Sequence, residues 1–450
     1  MDIQTQPTGF PAPRARFTPS SGSSPFVRLG MLSTALLVGF LVGCPQSEDQ
    51  SDKRRVTEAA AELERLRALP YAGGVRGSEN DDRSGVIHFE PERCSPGYNL
   101  FAIQYQSRAE LIDLEGNVIN SWSGEPGGEW LHSNLLDNGN LIVVGADPRR
   151  AKREGPGPAD DERFIMQLDW NNNVVWKRQI PAHHEADTIP NSNLLLTLTL
   201  RRRVVPSVDP VIPIRDDMIA LLDSSGELVK QVSIIDVLQS PTSDVELHIG
   251  KSQMYGGGRW IDPIHANAAE WVPPGPREGT HPIFERGNVL TCMRHQNLIA
   301  VINFYRQELI WSWGHKILSG PHDAQFLDNG HILVFDNGIN PQRQWSRVVE
   351  MDPLTDQIVW EYRAPEPTEL FTVGKGAAQR LPNGNTLIES SDQAWAFEVT
   401  REGDIVWEFL CPHRNPNGER ATIVRMKRYE PDFIERLLDA NADPQPADTP

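Results

Sequence analysis

Between two dissimilar ends, the apolar positions of the chain fall into short runs of four to seven residues, broken by Asn-Gly and Asp-x-x-Gly pairs. The clearest stretch is residues 320–338, GPHDAQFLDNGHILVFDNG. His322 opens a short strand that runs into an Asp-Asn-Gly turn, and a second strand over residues 331–335 returns to another Asp-Asn-Gly. Asn-Gly between apolar runs predicts a hairpin, because both central residues of a type I′ turn need φ > 0. The phrase of a strand before an Asn-centred turn recurs at residues 132–140, 184–193, 322–331 and 376–385.

A second phrase alternates with the first. It is an apolar strand, an Asp-led turn and a strand that mostly ends in Trp, and it occupies residues 111–122, 168–176, 222–229, 302–311, 351–360 and 399–407. Its anchors at 113, 169, 223, 303, 352 and 400 lie 56, 54, 80, 49 and 48 residues apart. Periods of about 40–50 residues mark propeller blades, and six copies predict six blades of about four strands each. The long interval from 223 to 303 must hold an insertion. The expected fold is therefore all-β, a six-bladed β-propeller over residues 85–435. A β-sandwich is the rival, but it has no reason to repeat at this period.

The ends obey other patterns. Arg14, Arg16 and Arg28 precede an apolar run over residues 29–42, too short to span a bilayer comfortably. The run ends Leu41-Val42-Gly43-Cys44, which resembles a bacterial lipobox, so residues 1–43 read as a signal peptide and Cys44 as the lipidated first residue of the mature chain. A polar tether and one amphipathic helix over residues 56–69 are expected within residues 44–84, and residues 436–450 are expected to be disordered.

Composition narrows the function. The chain has 450 residues, 39% of them hydrophobic, with 35 Gly, 36 Pro and 12 Trp, which suits many short strands and turns. Its net charge is −18. Removal of Asp2 and three Arg with the leader takes away a net +2, to −20. Phosphate backbones need Lys/Arg surfaces, so nucleic acid is excluded as a partner. Export favours disulfides, and of the three cysteines that remain, Cys94 and Cys411 lie near the two ends of the folded region. A bridge between them would close a ring.

The candidate chemistry is a histidine set. The innermost strand of each blade faces the central channel, and His184 and His322 each stand seven residues before a turn Asn. Period two puts His265 and Asn267 on one strand face. Arg294 and His295 follow in TCMRHQN. His132 is one residue out of step and reads as structural. Only one of His183 and His184 is expected to face inward, and His295 is expected to point away from Arg294. An Arg favours a tetrahedral oxyanion through its fork of donors, and a neutral imidazole can be a nucleophile or an acid and base. With no Ser or Cys elbow, this set suggests sulfuryl or phosphoryl transfer through histidine. Clustered His could also bind Zn or Cu, but no H-x-x-x-H, H-x-H or C-x-x-C spacing is present, so no metal and no cofactor are expected.

The segments at residues 320–338, 262–271 (DPIHANAAEW) and 292–303 (CMRHQNLIAVIN) resemble the bacterial arylsulfotransferase family, over roughly residues 85–408 and with SPGYNLF (95–101) as a matching entry segment. The resemblance implies an exported six-bladed propeller that moves sulfate from an aryl sulfate to a phenol without a nucleotide donor. It implies that His322 is transiently sulfated and that His265 protonates the leaving phenolate, then deprotonates the acceptor. Arg294, Asn267 and His184 would hold the sulfuryl oxygens, with His183 as the alternative to His184. The family's well-known enzymes carry an N-terminal β-sandwich used in dimerisation. Residues 45–84 are too short for one, so the resemblance does not carry over a dimer and leaves the oligomeric state open, with attachment to a membrane through Cys44 expected. The rival function is a non-catalytic membrane-anchored scaffold. A quinone-dependent dehydrogenase propeller fits less well, because no calcium site is visible.

Overall fold

The computed structural model describes residues 82–442 except 105, 148–156, 341 and 416, together with the backbone of a short strand, Gly74–Val75. The leader, Cys44 and the helix expected at residues 56–69 lie outside the described residues.

Six four-stranded antiparallel sheets follow one another. Blade 2 is built from Glu129–Leu135, Leu141–Ala146, Arg163–Leu168 and Val174–Arg178. Blade 3 is Ala182–Thr188, Leu195–Arg203, Ile214–Leu222 and Leu228–Ser233. Blade 4 is Ala266–Trp271, Asn288–Met293, Leu298–Asn303 and Glu308–Trp313. Blade 5 is His322–Phe326, Ile332–Asp336, Arg347–Asp352 and Gln357–Tyr362. Blade 6 is Ala377–Arg380, Thr386–Ser390, Trp395–Val399 and Ile405–Leu410, with Gly85–Phe89 added as a fifth, outer strand. The Asn-turn phrase forms the two inner strands of a blade, and the Trp-ended phrase the two outer ones.

Blade 1 closes the ring. Its second to fourth strands are Tyr98–Ile103, Arg108–Ile112 and Val118–Ser123, but its innermost strand is Ile423–Tyr429, from the other end of the chain. The expected Cys94–Cys411 bridge is not formed. Cys94, Cys292 and Cys411 are all buried free thiols, and Cys94 Sγ donates to the Val406 carbonyl. Strand pairing, with Tyr98 opposite Tyr429 and Ile103 opposite Ile423, does the closing instead. The disordered tail is expected from residue 436, but order continues beyond that point. Helix Pro431–Asn441 continues past residue 435 and buries Ile434 and Leu437 against the core of blades 1 and 2.

The repeated Asp and Trp have local reasons. Asp113, Asp169 and Asp223 each turn a carboxylate oxygen back onto backbone N–H groups of their own turn, as Asp does in such turns. The Trp side chains stitch neighbouring blades. Trp122 Nε1 donates to the Asp169 carbonyl of blade 2, Trp360 to Arg401 of blade 6, and Trp407 to Leu114 of blade 1, each at 2.9 Å. Trp407 is fully buried beside Phe409 at the ring-closing seam. Trp407→Ala is expected to cost about 3–5 kcal/mol, the usual range for deleting a buried large aromatic. Urea unfolding of the two proteins measures it, and a loss below about 1 kcal/mol would contradict a seam held by this residue.

The long interval between blades 3 and 4 holds the expected insertion. It contains a short helix, Ile234–Leu238, and a hairpin, Gln253–Tyr255 with Gly258–Trp260.

Candidate active site

Five of the six innermost strands carry a β-bulge near the start. Residues with φ > 0 cluster there: His184 (60°), His265 (51°), Asp323 (53°) and Arg425 (46°). Such backbone is uncommon for L residues and concentrates where a site needs it. Leu131, His184, Asn267, His322 and Val424, from the five bulged strands, and Gly376, just ahead of the unbulged inner strand of blade 6, line one cavity of about 100 Å³. That is several times the ~10–15 Å³ one water needs. A second cavity continues along the channel. His132, Asp323 and Arg425 line both. Arg425 holds Glu185 through Nη1 at 2.9 and 3.0 Å and bonds Asp323 through Nη2, making a charged plug between the two.

His322 is 4% exposed and its tautomer is set by its neighbours. Asn337 donates through Nδ2 to the carbonyls of Thr372 and Lys375 at 2.8 and 2.7 Å. Its Oδ1 must therefore accept, so His322 carries its proton on Nδ1 and donates at 2.7 Å. The lone pair is left on Nε2, which receives the Lys375 N–H at 3.1 Å. Burial, reinforced by Arg294, drives the imidazole well below its usual range, so it is neutral.

A second cluster stands beside it. Asp262 Oδ2 lies 2.6 Å from His265 Nδ1. Burial alone would raise the Asp262 carboxyl, but His265, His295 and Arg215 outweigh it and hold the group ionised. Burial pushes His265 down to about 3, against the pull of Asp262, so His265 is neutral, donates from Nδ1 and keeps its basic nitrogen at Nε2. Arg294 Nη1 meets His295 Nε2 at 3.0 Å. Since Arg only donates, His295 donates through Nδ1 to the Asp262 carbonyl at 2.7 Å. Arg294 Nη2 reaches the Val373 carbonyl at 3.3 Å, and its buried Nε has no partner among the described residues.

Several expectations change here. His295 does not point away; its ring lies 4.7 Å from that of His265. The bulge brings the Nδ1 atoms of His183 and His184 to 2.6 Å, and of the two it is His184 that lines the cavity. His183 Nε2 lies 3.3 Å from Asp217, while His184 lines the cavity and its ring is 5.5 Å from that of His265. His265 and Asn267 do not share a face by simple alternation. His265 precedes the strand and leans on Asp262, and Asn267 is the bulged residue on the cavity wall. Asn267 Nδ2 donates to the Pro321 carbonyl at 2.9 Å, and its Oδ1 is buried without a partner among the described residues. His132 is buried and lines both cavities.

Asp262, His265 and His295 also bring one possible ligand atom each within 4.8 Å of one another, a grouping that short-range spacing does not reveal. They fit a cation poorly. Two guanidiniums stand at 3.0 Å from His295 and 3.6 Å from Asp262, and both Nδ1 atoms are engaged in hydrogen bonds. The arrangement suits an anion in the cavity, a fixed neutral nucleophile and a carboxylate-backed imidazole beside it.

The model of one family, arylsulfotransferase (ASST), matches residues 132–412, more than half of the chain, a span that includes His184, His265, Arg294 and His322. No curated protein matches. A Bacteroides caccae protein of unknown function, solved by crystallography, is 13% identical over 74% of this chain and 99% of its own, with a TM-score of 0.45. The β-propeller domain of Cps50 (Swd1) from Myceliophteria thermophila is 12% identical over 76% and 91%, with a TM-score of 0.41. Likenesses at this level carry no argument about the site.

Proposed function

Because the chain belongs to the arylsulfotransferase family, we propose that it transfers a sulfuryl group from an aryl sulfate to a phenol in two steps through a sulfated His322. The observation that carries the reading is the fixed tautomer of His322, neutral and with Nε2 as its basic nitrogen on the wall of the channel cavity.

In the first step the Nε2 lone pair forms a bond to sulfur, and the sulfur–aryl oxygen bond breaks, leaving its pair on the phenolate. Nε2 then ceases to accept from Lys375, whose N–H becomes a donor for a sulfuryl oxygen. The unpartnered Nε of Arg294 is a second such donor. An arriving sulfate ester favours protonation of His265, since a nearby anion stabilises the imidazolium, and Asp262 stands ready to balance it. His265 hands that proton to the leaving phenolate. In the second step the acceptor hydroxyl returns a proton to His265, its oxygen attacks sulfur, and the nitrogen–sulfur pair goes back to His322.

Brief incubation with 4-nitrophenyl sulfate and no acceptor is expected to release about one equivalent of nitrophenol and add about 80 Da to the peptide bearing His322, a covalent intermediate. Intact and peptide mass spectrometry read the adduct. Neither phenol release nor a mass gain would return the chain to the non-catalytic scaffold.

A further inference from the structure

One buried cation is unused by the mechanism above. Arg163 opens the third strand of blade 2 and is 2% exposed. The other buried arginines near the axis have company. Arg425 holds Glu185 and Asp323, Arg428 bonds Glu398, and Arg215 lies 3.6 Å from Asp262 and 3.8 Å from Asp217. The Arg163 side chain has no hydrogen bond or ion pair among the described residues, and its Nε is buried without a partner. A guanidinium does not give up its charge; Asp160 and Glu129 act on it only through space, so its unmatched donors are open to an anion from outside the chain.

That anion has a place to bind. Arg163 lines the same cavity as His184, Asn267 and His322. So does Tyr255 of the inserted hairpin. Its phenol ring is seated so closely against Gly157 that a Cβ there would stand 2.1 Å from Cζ. Gly157, with φ at 75°, thus admits the ring, and Pro158 adds apolar wall.

We propose that Arg163 is a second anion-recognition point, and that the preferred phenols carry a ring-borne carboxylate that pairs with Arg163 while the hydroxyl or sulfate end lies at His322. The ring packs against Tyr255. The fork of Arg matches a planar carboxylate with two parallel bonds. This rests on the sulfotransferase reading for the other end of the substrate.

The test uses the whole protein, 4-nitrophenyl sulfate as donor, and three acceptors: 4-hydroxyphenylacetate, its uncharged amide, and 4-hydroxybenzenesulfonate. The wild type is expected to favour the carboxylate over the amide by about 10- to 100-fold in kcat/KM, the worth of a charge-assisted contact. Arg163→Met is expected to bring that ratio to about 1, and Arg163→Lys, which keeps the charge, to leave part of it. A wild type without preference, or a preference that survives in Arg163→Met, overturns the proposal. Preference for the sulfonate over the carboxylate overturns the carboxylate assignment. Calorimetric binding of 4-hydroxyphenylacetate to His322→Ala, with and without Arg163→Met, needs no turnover. Arg163-dependent binding together with a wild type that transfers no sulfate would keep the anion site and discard the sulfotransferase reading. Transfer without Arg163-dependent binding would do the reverse.

Discussion

His322→Ala abolishes sulfuryl transfer, with kcat down by at least about 10³-fold and no mass gain on any histidine peptide, because removing a nucleophile removes the whole covalent route. The effect should be this large because nothing described nearby can replace it. His184 and His265 are imidazoles too, with Nδ1 engaged by His183 and Asp262, but the proposed mechanism assigns the basic Nε2 of His265 to proton transfer and not to sulfur. The fold should survive the change. His322 bonds Asn337, Gly320 and the Lys375 N–H, and Asn337 keeps its two carbonyl partners without it. Thermal unfolding beside the steady-state assay separates the two effects. Activity within tenfold of wild type in a folded His322→Ala protein would rule out the covalent route.

Asp262→Asn gives the second large effect, about 10²–10⁴-fold, by analogy with other carboxylates that orient a catalytic imidazole. An amide in place of the carboxylate can donate to His265 Nδ1 and force the proton onto Nε2, the wrong nitrogen for a base. It also removes the charge that stabilises the imidazolium during proton transfer. The loss should depend on the donor. Release of 4-nitrophenolate needs little protonation, so its first-step burst should change little, whereas donors with poorly acidic phenols should lose most. A merely structural Asp262 would lower all donors alike, and that outcome would remove Asp262 and His265 from the proton path.

Reading the residues in order shows why some of this was legible beforehand. The Asp-x-x-Gly and Asn-Gly turns are short-range devices, so period, blade number and the place of the insertion follow from spacing alone. The histidines at strand openings were visible for the same reason. Side-chain direction was not. Alternation predicts one face for His265 and Asn267, and that expectation fails at a bulge, where a left-handed residue breaks the period of two; at a second bulge the rings of His183 and His184 come together. Asn337 looked like half of another Asn-Gly turn, and only the folded blade shows it holding His322 across a 15-residue interval. Asp262 was in plain view three residues before His265, but its pairing depends on the φ of 51° at that histidine. Arg163 belongs to no motif. The pairing of residues 98–103 with 423–429 joins strands more than 300 positions apart, and no local pattern reports it.

That last pairing sets an order of events. The ribosome makes the strand Ile423–Tyr429 after every other strand of the propeller, yet it supplies Val424 to the wall of the catalytic cavity and Arg425 to the plug beneath it. A nascent chain halted just before residue 423 would hold His184, His265, Arg294 and His322 and still have a ring open at one seam. The pocket therefore comes into being at the end of synthesis, as a property of the completed circle rather than of any blade. Long-range closure of this kind is slow compared with local hairpins, so the finished cavity lags behind the folding of its separate blades.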